Sequence, residues 1–276
     1  MNRIIPRDLI KHLEWTPGAK PPAQKKRTRT KPKSEDEVQF KGNLSQYIQV
    51  GINGIYGKPV VISPFELEGY NDKNYYGTHH QLLSNGLYMP TPHIFMKHFT
   101  NVLNAFRWGK KMLYADGKEV PKSTVEEMYN HLTKDVKDVY GTGNPGAWTW
   151  LNAQFEKKED GWYLGTVMSH TKSKGRTGIK KSVMKLEEFL EEDCFVDLSF
   201  NNQGLPNPDA KSKNEEYKPG KNIYFFSPTE GSVAGFDAYS DRARLNCDWD
   251  PSGRDASLGV FGCAEGAREK IKEAEA

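Results

Sequence analysis

The stretch Val233–Val260, VAGFDAYSDRARLNCDWDPSGRDASLGV, decides the fold of the C-terminal part of this chain. From Val233 onward the residues alternate. One side has Phe236, Ala238 and Ser240, and the other has Asp237, Tyr239 and Asp241. Alternation with a period of two is typical of a half-buried β-strand. The stretch therefore predicts a strand that buries its small and apolar side chains and turns its polar side chains outward.

The alternation slips by one residue at Asp241-Arg242, which predicts a turn or bulge between two strands. Beyond the slip, the predicted inward residues are Ala243, Leu245 and Cys247, and the predicted outward residues are Arg244, Asn246 and Asp248. A polar loop over residues 248–257 then leads to a predicted last strand, Leu258–Cys263, with Leu258, Val260 and Phe261 buried.

The same region has an unusual composition. The whole chain holds 29 Lys and 21 Glu in 276 residues, yet residues 231–264 hold neither, and no Gln or Met. About six Lys or Glu would be expected there from composition alone. Charge itself is not avoided, because five Asp and three Arg fall in the same stretch. This selective gap indicates a binding surface and not an ordinary solvated one.

Together with three upstream pieces, the stretch resembles the variable proteins of diversity-generating retroelements. The pieces are WTWL at Trp148–Leu151, FLEEDCFVDLSF at Phe189–Phe200 and NIYFFSP at Asn222–Pro228. The resemblance covers roughly residues 85–265 and implies a C-type-lectin fold related to the formylglycine-generating enzyme. In that family, adenines of a template are copied with errors. The codons produced reach Asp, Tyr, Ser, Gly, Arg, Ala, His and Cys, but not Lys, Glu, Gln, Met or Trp. Trp249 is outside that set, so we interpret it as a fixed residue or as a position with a different template codon.

The resemblance implies a non-enzymatic protein that binds a protein or glycan ligand through a variable region at about residues 235–257, without a cofactor or a metal ion. The ligand-binding residues expected on this basis are Asp237, Tyr239, Asp241, Arg242, Arg244, Asn246, Asp248, Trp249, Asp250, Gly253, Arg254, Asp255 and Ser257.

The rest of the chain predicts an α+β fold. Residues 48–62 are β-branched and punctuated by glycine, which predicts short strands. Thr91 and Pro92 are typical of a helix start, and a second helix is predicted from Ser123 to Gly141. Later short strands are predicted at 147–155, 162–169, 194–200 and 222–227, and the polar segment 201–220 is predicted to be a surface loop.

Residues 1–37 are predicted to be a flexible basic extension of the domain at 38–268, which a tail at 269–276 follows. Within the extension, residues 20–33 hold seven Lys or Arg and no acidic residue. The extension 1–37 is interpreted either as a frayed tail or as an element that docks to a partner or a polyanion. A nucleic-acid-associated protein that uses residues 20–33 is the first alternative function. The sequence contains no predicted signal peptide or membrane span, which favours a cytoplasmic or virion-associated protein.

Three cysteines, Cys194, Cys247 and Cys263, lack the spacing of a metal site. Buried free thiols are expected, and a Cys247–Cys263 disulfide is the alternative. An oxidase of the formylglycine-generating type is the less favoured alternative function. Such enzymes use reactive cysteines a few residues apart, whereas Cys247 is sixteen residues from Cys263 and is predicted to point inward.

Overall fold

The structure is a computed structural model that describes residues 43–133, 146–173, 176–238 and 242–266, with the backbone alone for 170–173 and 176–178. Residues 38–276 form one compact unit, which is the unit described below. The domain is α+β, as predicted. The predicted extension at 1–37 and the tail at 269–276 lie outside the described residues.

A small sheet joins the start of the described chain to its end. Its strands are β1 (Ile48–Asn53) and β2 (Pro59–Ile62), with β10 (Cys263–Glu265) paired to β2. The predicted strands at 48–62 are confirmed. The last predicted strand is wrong in its bounds, because residues 258–262 are buried without being a strand and the pairing begins at Cys263.

Of the three helices in the described residues, two were predicted from the sequence and one was missed. Helix α2 (Pro92–Trp108) was predicted; Thr91 accepts a hydrogen bond from the Ile94 amide at 3.3 Å. Helix α3 (Lys122–Thr133) was also predicted, although residues 134–141 of that prediction lie outside the described residues. Helix α1 (Tyr75–Ser84) was missed. Its only clear signal is Asn74, whose side chain caps it by accepting from the Gly77 amide.

A seven-stranded sheet forms the centre of the domain. Its strands along the chain are β3 (Trp148–Lys158), β4 (Gly161–Ser173), β5 (Arg176–Lys185), β6 (Cys194–Asp197), β7 (Asn222–Phe226), β8 (Val233–Asp237) and β9 (Arg244–Trp249). Their spatial order is β5-β4-β3-β8-β9-β7-β6, and β7–β9 is the one parallel pair. The predicted C-terminal strands therefore lie in the middle of the sheet. The chain reverses between them, as the phase slip predicted.

One face of this sheet packs on α2. The ring of Phe236 lies 4.9 Å from that of Phe95 and 5.6 Å from that of Phe99, centroid to centroid. The predicted inward residues that the structure describes are all buried, namely Phe236, Ala238, Ala243, Leu245 and Cys247, while Ser240 lies outside the described residues. Alternation therefore assigned this face correctly.

The opposite face, which we call the far face, carries the predicted polar residues. Asp237 lies opposite Arg244 and Gly235 lies opposite Asn246, so these four residues share a face. Register places further residues of the neighbouring strands on the same face: Trp148 and Trp150 of β3, Tyr224 and Phe226 of β7, and Phe195 of β6.

The predicted surface loop at 201–220 is partly wrong. Residues 203–206 are buried, and Gly204 lies against the start of α2. A Cβ atom at Gly204 would be 2.2 Å from the His93 backbone nitrogen. The sequence did not indicate this contact, because a glycine and backbone groups form it and no apolar side chain is involved.

Candidate functional site on the far face and its adjoining loop

The predicted ligand-binding residues divide into three groups by exposure. Those whose side chains are exposed are Asp248, Asp250, Arg254, Asp255 and Ser257, and those that are half-buried are Arg242, Arg244, Trp249 and Gly253. Asp237 and Asn246 are buried, at 5% and 3% exposure, which corrects the prediction that both display their side chains to solvent. Tyr239 and Asp241 lie outside the described residues.

Asp237 and Asn246 form a polar pair across the hairpin. The Asn246 side-chain amide donates to Asp237 Oδ2 at 2.8 Å. Arg244 Nη1 lies 3.7 Å from Asp237 Oδ1, and the Arg244 side chain keeps 29% exposure. The alternation correctly predicted the face of the sheet but could not predict that part of this face is covered.

Trp249 is fixed by close packing. The pairing of β8 and β9 shifts between Val233–Trp249 and Gly235–Asn246, which brings the indole onto the far face. The indole lies over Gly235, where a Cβ atom would be 2.0 Å from Trp249 Cζ3. It also meets Trp150 edge-on at 5.4 Å and Trp148 at 6.5 Å. Trp249 therefore supports the surface, and Gly235 makes room for it.

The loop at 250–257 follows Trp249 and is held through its own main chain. The Asp72 amide donates to Asp255 O at 3.2 Å, the Tyr75 amide to Pro251 O at 3.2 Å, and Asn71 Nδ2 to Ala256 O at 3.0 Å. Asp72 has a φ of 57°, an unusual conformation for a residue other than glycine. These bonds fix the path of the loop without using its side chains.

Two short turns inside the loop use aspartate side chains. Asp250 accepts from the Ser252 amide and hydroxyl, both at 2.8 Å, and Asp255 accepts from the Ser257 amide at 2.7 Å. The hydrogen bonds from Ser252, the backbone one first, lower the pKa of Asp250 below its ordinary value. Such turns order a loop locally while leaving its surface open to solvent.

Beside the hairpin, the far face continues onto an aromatic group that the sequence analysis did not assign to the site. Tyr224 lies 5.0 Å from Phe195 and 4.9 Å from Phe226, ring centroid to centroid, and all three are half-buried. The Arg242 guanidinium carbon is 5.7 Å from the Phe195 centroid and 5.6 Å from the Tyr224 centroid. The available signal was the alternation in Asn222–Phe226, where Tyr224 and Phe226 flank a buried residue.

Two carboxylates, those of Asp248 and Asp193, lie on the far face near the last residues of β9. Partial desolvation raises the pKa of Asp248, and the Asp193 carboxylate raises it further. Asp193 Oδ1 itself accepts from the Ser227 amide and hydroxyl at 2.8 Å each. The far face thus has arginines near the start of β9 and carboxylates near its end.

The cysteines are all free thiols in the structure, so Cys247 and Cys263 do not pair. Burial raises the pKa of both Cys247 and Cys263 well above the ordinary thiol value. Partial burial also raises the pKa of Cys194. A thiol that reacts as a nucleophile needs a lowered pKa and solvent access.

Within the described ranges, no group of three or more His, Cys, Asp and Glu side chains could hold a metal ion. A cleft of about 200 Å³ opens between the start of α2 and strands β4 and β5, where His93 and Met184 line it. Ligand pockets usually measure about 300–1,000 Å³. The cleft is therefore a weaker candidate than the far face.

Comparisons with protein-family models, curated proteins and solved structures give no match for this chain. Among the helices that the structure describes, none has both the length and the apolar character needed to cross a bilayer.

Proposed function

We propose that this protein is a non-enzymatic ligand-binding protein, that its α+β domain is a C-type-lectin-like domain, and that a retroelement diversifies the surface at residues 235–257. The ligand is a protein or a glycan. The proposal combines the resemblance with the gap in Lys and Glu over residues 231–264 and with the way the loop at 250–257 is attached.

The attachment of the loop is the observation that carries the proposal. All three anchoring hydrogen bonds from Asn71, Asp72 and Tyr75 end on main-chain carbonyl oxygens of the loop. Replacing a loop side chain removes none of these acceptors. A surface can vary in sequence while its fold persists only if its variable side chains do not hold the fold together. Changes at such exposed positions usually alter stability by no more than about 0.5 kcal/mol.

The structure also revises which residues we propose to contact the ligand. The display set comprises the described residues of the region that reach solvent and are not part of its support, namely Arg242, Arg244, Asp248, Asp250, Gly253, Arg254, Asp255 and Ser257. Asp237, Asn246 and Trp249 are assigned to the support beneath it, since each is held by the hairpin or by the tryptophan cluster.

Sequencing the gene from many members of a natural population tests this proposal. We expect the codons for 250–257 to vary, the codons for Gly235 and Trp249 to stay fixed, and a near-repeat differing mainly at adenines to lie beside a reverse transcriptase gene. Variation spread evenly over the domain, or no near-repeat, would contradict the proposal.

The alternatives rest on other parts of the chain. The nucleic-acid hypothesis uses residues 20–33, which lie outside the described residues, and it is tested separately below. The oxidase hypothesis needs accessible and reactive thiols, but Cys247 and Cys263 are fully buried. We therefore retain the binding function as the proposal.

A further inference from the structure

The aromatic group formed by Phe195, Tyr224 and Phe226 has no role in the ligand-binding surface as proposed so far. Its three rings are half-buried on the far face. Tyr224 and Phe226 are on β7, next to β9, and Phe195 is on β6, one strand further away. They belong to β6 and β7, outside the region in which Lys and Glu are missing. They would therefore be shared by every variant of the protein.

The rings lie directly beside the display set. Tyr224 is paired with Arg244 and Phe226 with Asn246 in the parallel register of β7 and β9. Arg242 joins the two parts, because its guanidinium lies within cation–π distance of both Phe195 and Tyr224. One ligand that touches the arginines of the hairpin would reach the rings as well.

The composition of this surface fits a protein ligand. The part of the far face that reaches solvent crosses β9, β7 and β6, and at about 4.8 Å per step it is roughly 10 Å wide. A protein partner typically covers about 800 Å² of a surface, and its binding energy concentrates at Tyr, Trp and Arg side chains. The far face offers Tyr224, Arg242 and Arg244 within that width.

The geometry of the rings argues against a sugar. A sugar ring stacks on an open, flat aromatic face. Here Phe195 and Tyr224 stand at 88° to each other, and Tyr224 and Phe226 at 54°. Rings that meet edge to face leave ridges and grooves, into which a protein side chain packs.

The charges give the partner an orientation. Arg242 and Arg244 lie at one end of the rings, and Asp193 and Asp248 lie at the other. A complementary partner has a carboxylate at the first end and an apolar side chain in the middle.

We propose that Phe195, Tyr224 and Phe226 form a constant anchor for a protein ligand, which packs an apolar side chain against the rings and places a carboxylate beside Arg242. The anchor supplies affinity common to all variants, and the loop at 250–257 selects among partners. This inference rests on the proposed binding function.

Two libraries test the anchor. Both randomise Ser252, Arg254, Asp255 and Ser257, and one also carries Phe195→Ser, Tyr224→Ser and Phe226→Ser. Each is selected against α-lactalbumin, an acidic protein, and lysozyme, a basic protein of the same fold. We expect the best binders of α-lactalbumin from the intact library to have a Kd at least about tenfold lower than those from the other library.

A matched third library controls for the general loss of apolar surface. It carries Trp108→Ser, Val183→Ser and Met184→Ser, three exposed side chains on α2 and on the edge strand β5. It should perform like the intact library. Equal affinities from the intact and the ring-substituted libraries, or binders that favour lysozyme, would overturn the anchor while leaving the binding function in place. If no library gives a binder, the proposed function itself fails.

Hydroxyl-radical footprinting of a selected complex tests the contact without substituting the rings. In the complex with α-lactalbumin, oxidation of Phe195, Tyr224 and Phe226 should fall, while oxidation of the exposed Trp108 stays unchanged. Unprotected rings would refute the anchor. Binding of maltoheptaose that protects the rings would replace the protein ligand with a glycan, and so would overturn the assignment.

Discussion

Trp249 and Gly235 face each other across β8 and β9 so closely that a Cβ atom at residue 235 would lie 2.0 Å from the indole Cζ3. A glycine is needed at residue 235 because any larger residue would place its Cβ atom against the indole. The indole that fills this space also contacts Trp150. This contact joins β3 to Trp249, the residue before the loop at 250–257, so it determines where that loop begins.

Gly235→Ala should therefore destabilise the domain. Overpacking in a well-packed site costs about 1–3 kcal/mol, and here the added methyl group would meet a rigid indole. Thermal or urea unfolding measures the loss. Gly165→Ala is the matched control, because the nearest atom to a Cβ there is 3.6 Å away. Adding Trp249→Leu to Gly235→Ala should recover part of the loss; equal stability of the two glycine variants would refute the steric account.

Loop side chains and the tryptophan beneath them should differ sharply in tolerance. Arg254→Ala and Ser257→Ala should change the free energy of unfolding by no more than about 0.5 kcal/mol, because both side chains are exposed. Trp249→Ala should cost about 2 kcal/mol or more, somewhat less than a fully buried tryptophan. A large loss from the loop substitutions would contradict a loop held through its main chain.

The buried pair beneath the surface gives a third prediction. Asn246→Leu removes the donor that lies 2.8 Å from Asp237 Oδ2, within a site that is almost closed to solvent. Leaving a buried polar group without its partner costs about 1–3 kcal/mol, or more when it is charged. The double variant Asp237→Leu/Asn246→Leu should lose less than the sum of the two single variants. Additive losses in urea unfolding would indicate that the two side chains do not interact.

These same residues explain why part of the hairpin could be predicted from the sequence and part could not. Alternation predicted the buried Phe236 and Leu245, because a strand at the centre of a sheet must match the core. It could not predict the burial of Asp237 and Asn246, since their pairing satisfies polar groups that otherwise avoid the interior. Composition could not predict that Trp249 packs over Gly235, because that contact depends on a shift in strand register.

Two elements of the fold were missed for a related reason. Helix α1 buries Thr78 and His79 beside Leu82, so its buried face does not appear as an apolar stripe. Strand β5 lies at the edge of the sheet and is rich in lysine. Lysine is not typical of a strand, but on an edge strand it prevents pairing with other chains. Packing of α1 against the core and pairing of β5 with β4 are long-range contacts, and the local sequence carries little information on either.

The stability of the domain should depend on pH through His98. The imidazole is fully buried in α2, 6.3 Å from the ring of Phe261, and neither ring nitrogen has a hydrogen-bond partner among the described residues. Burial lowers the pKa of His98 from 6.5 to about 4. Below pH 6.5 His98 is therefore protonated in the unfolded chain but stays neutral in the folded chain. The free energy of unfolding falls as the pH drops towards 4.

The difference between the two pKa values of His98 corresponds to a loss of about 3 kcal/mol. His98→Met should remove this part of the acid sensitivity, while Met96→Leu, at another buried position of α2, should leave it unchanged because neither side chain titrates. Urea unfolding at several pH values between neutral and about 4 measures the slope. Identical slopes in the wild type and in His98→Met would refute the role of His98.

The basic segment separates the proposed function from its nucleic-acid alternative. Residues 20–33 carry seven positive charges, so the full chain should bind DNA non-specifically at low salt. Binding through phosphate contacts weakens steeply between about 50 mM and 200 mM salt. Deleting residues 1–37 should abolish that binding, yet leave the melting temperature and the affinity for a protein selected through the loop at 250–257 unchanged. DNA binding that survives high salt and shows sequence preference would favour the nucleic-acid function, because charge neutralisation alone gives neither property.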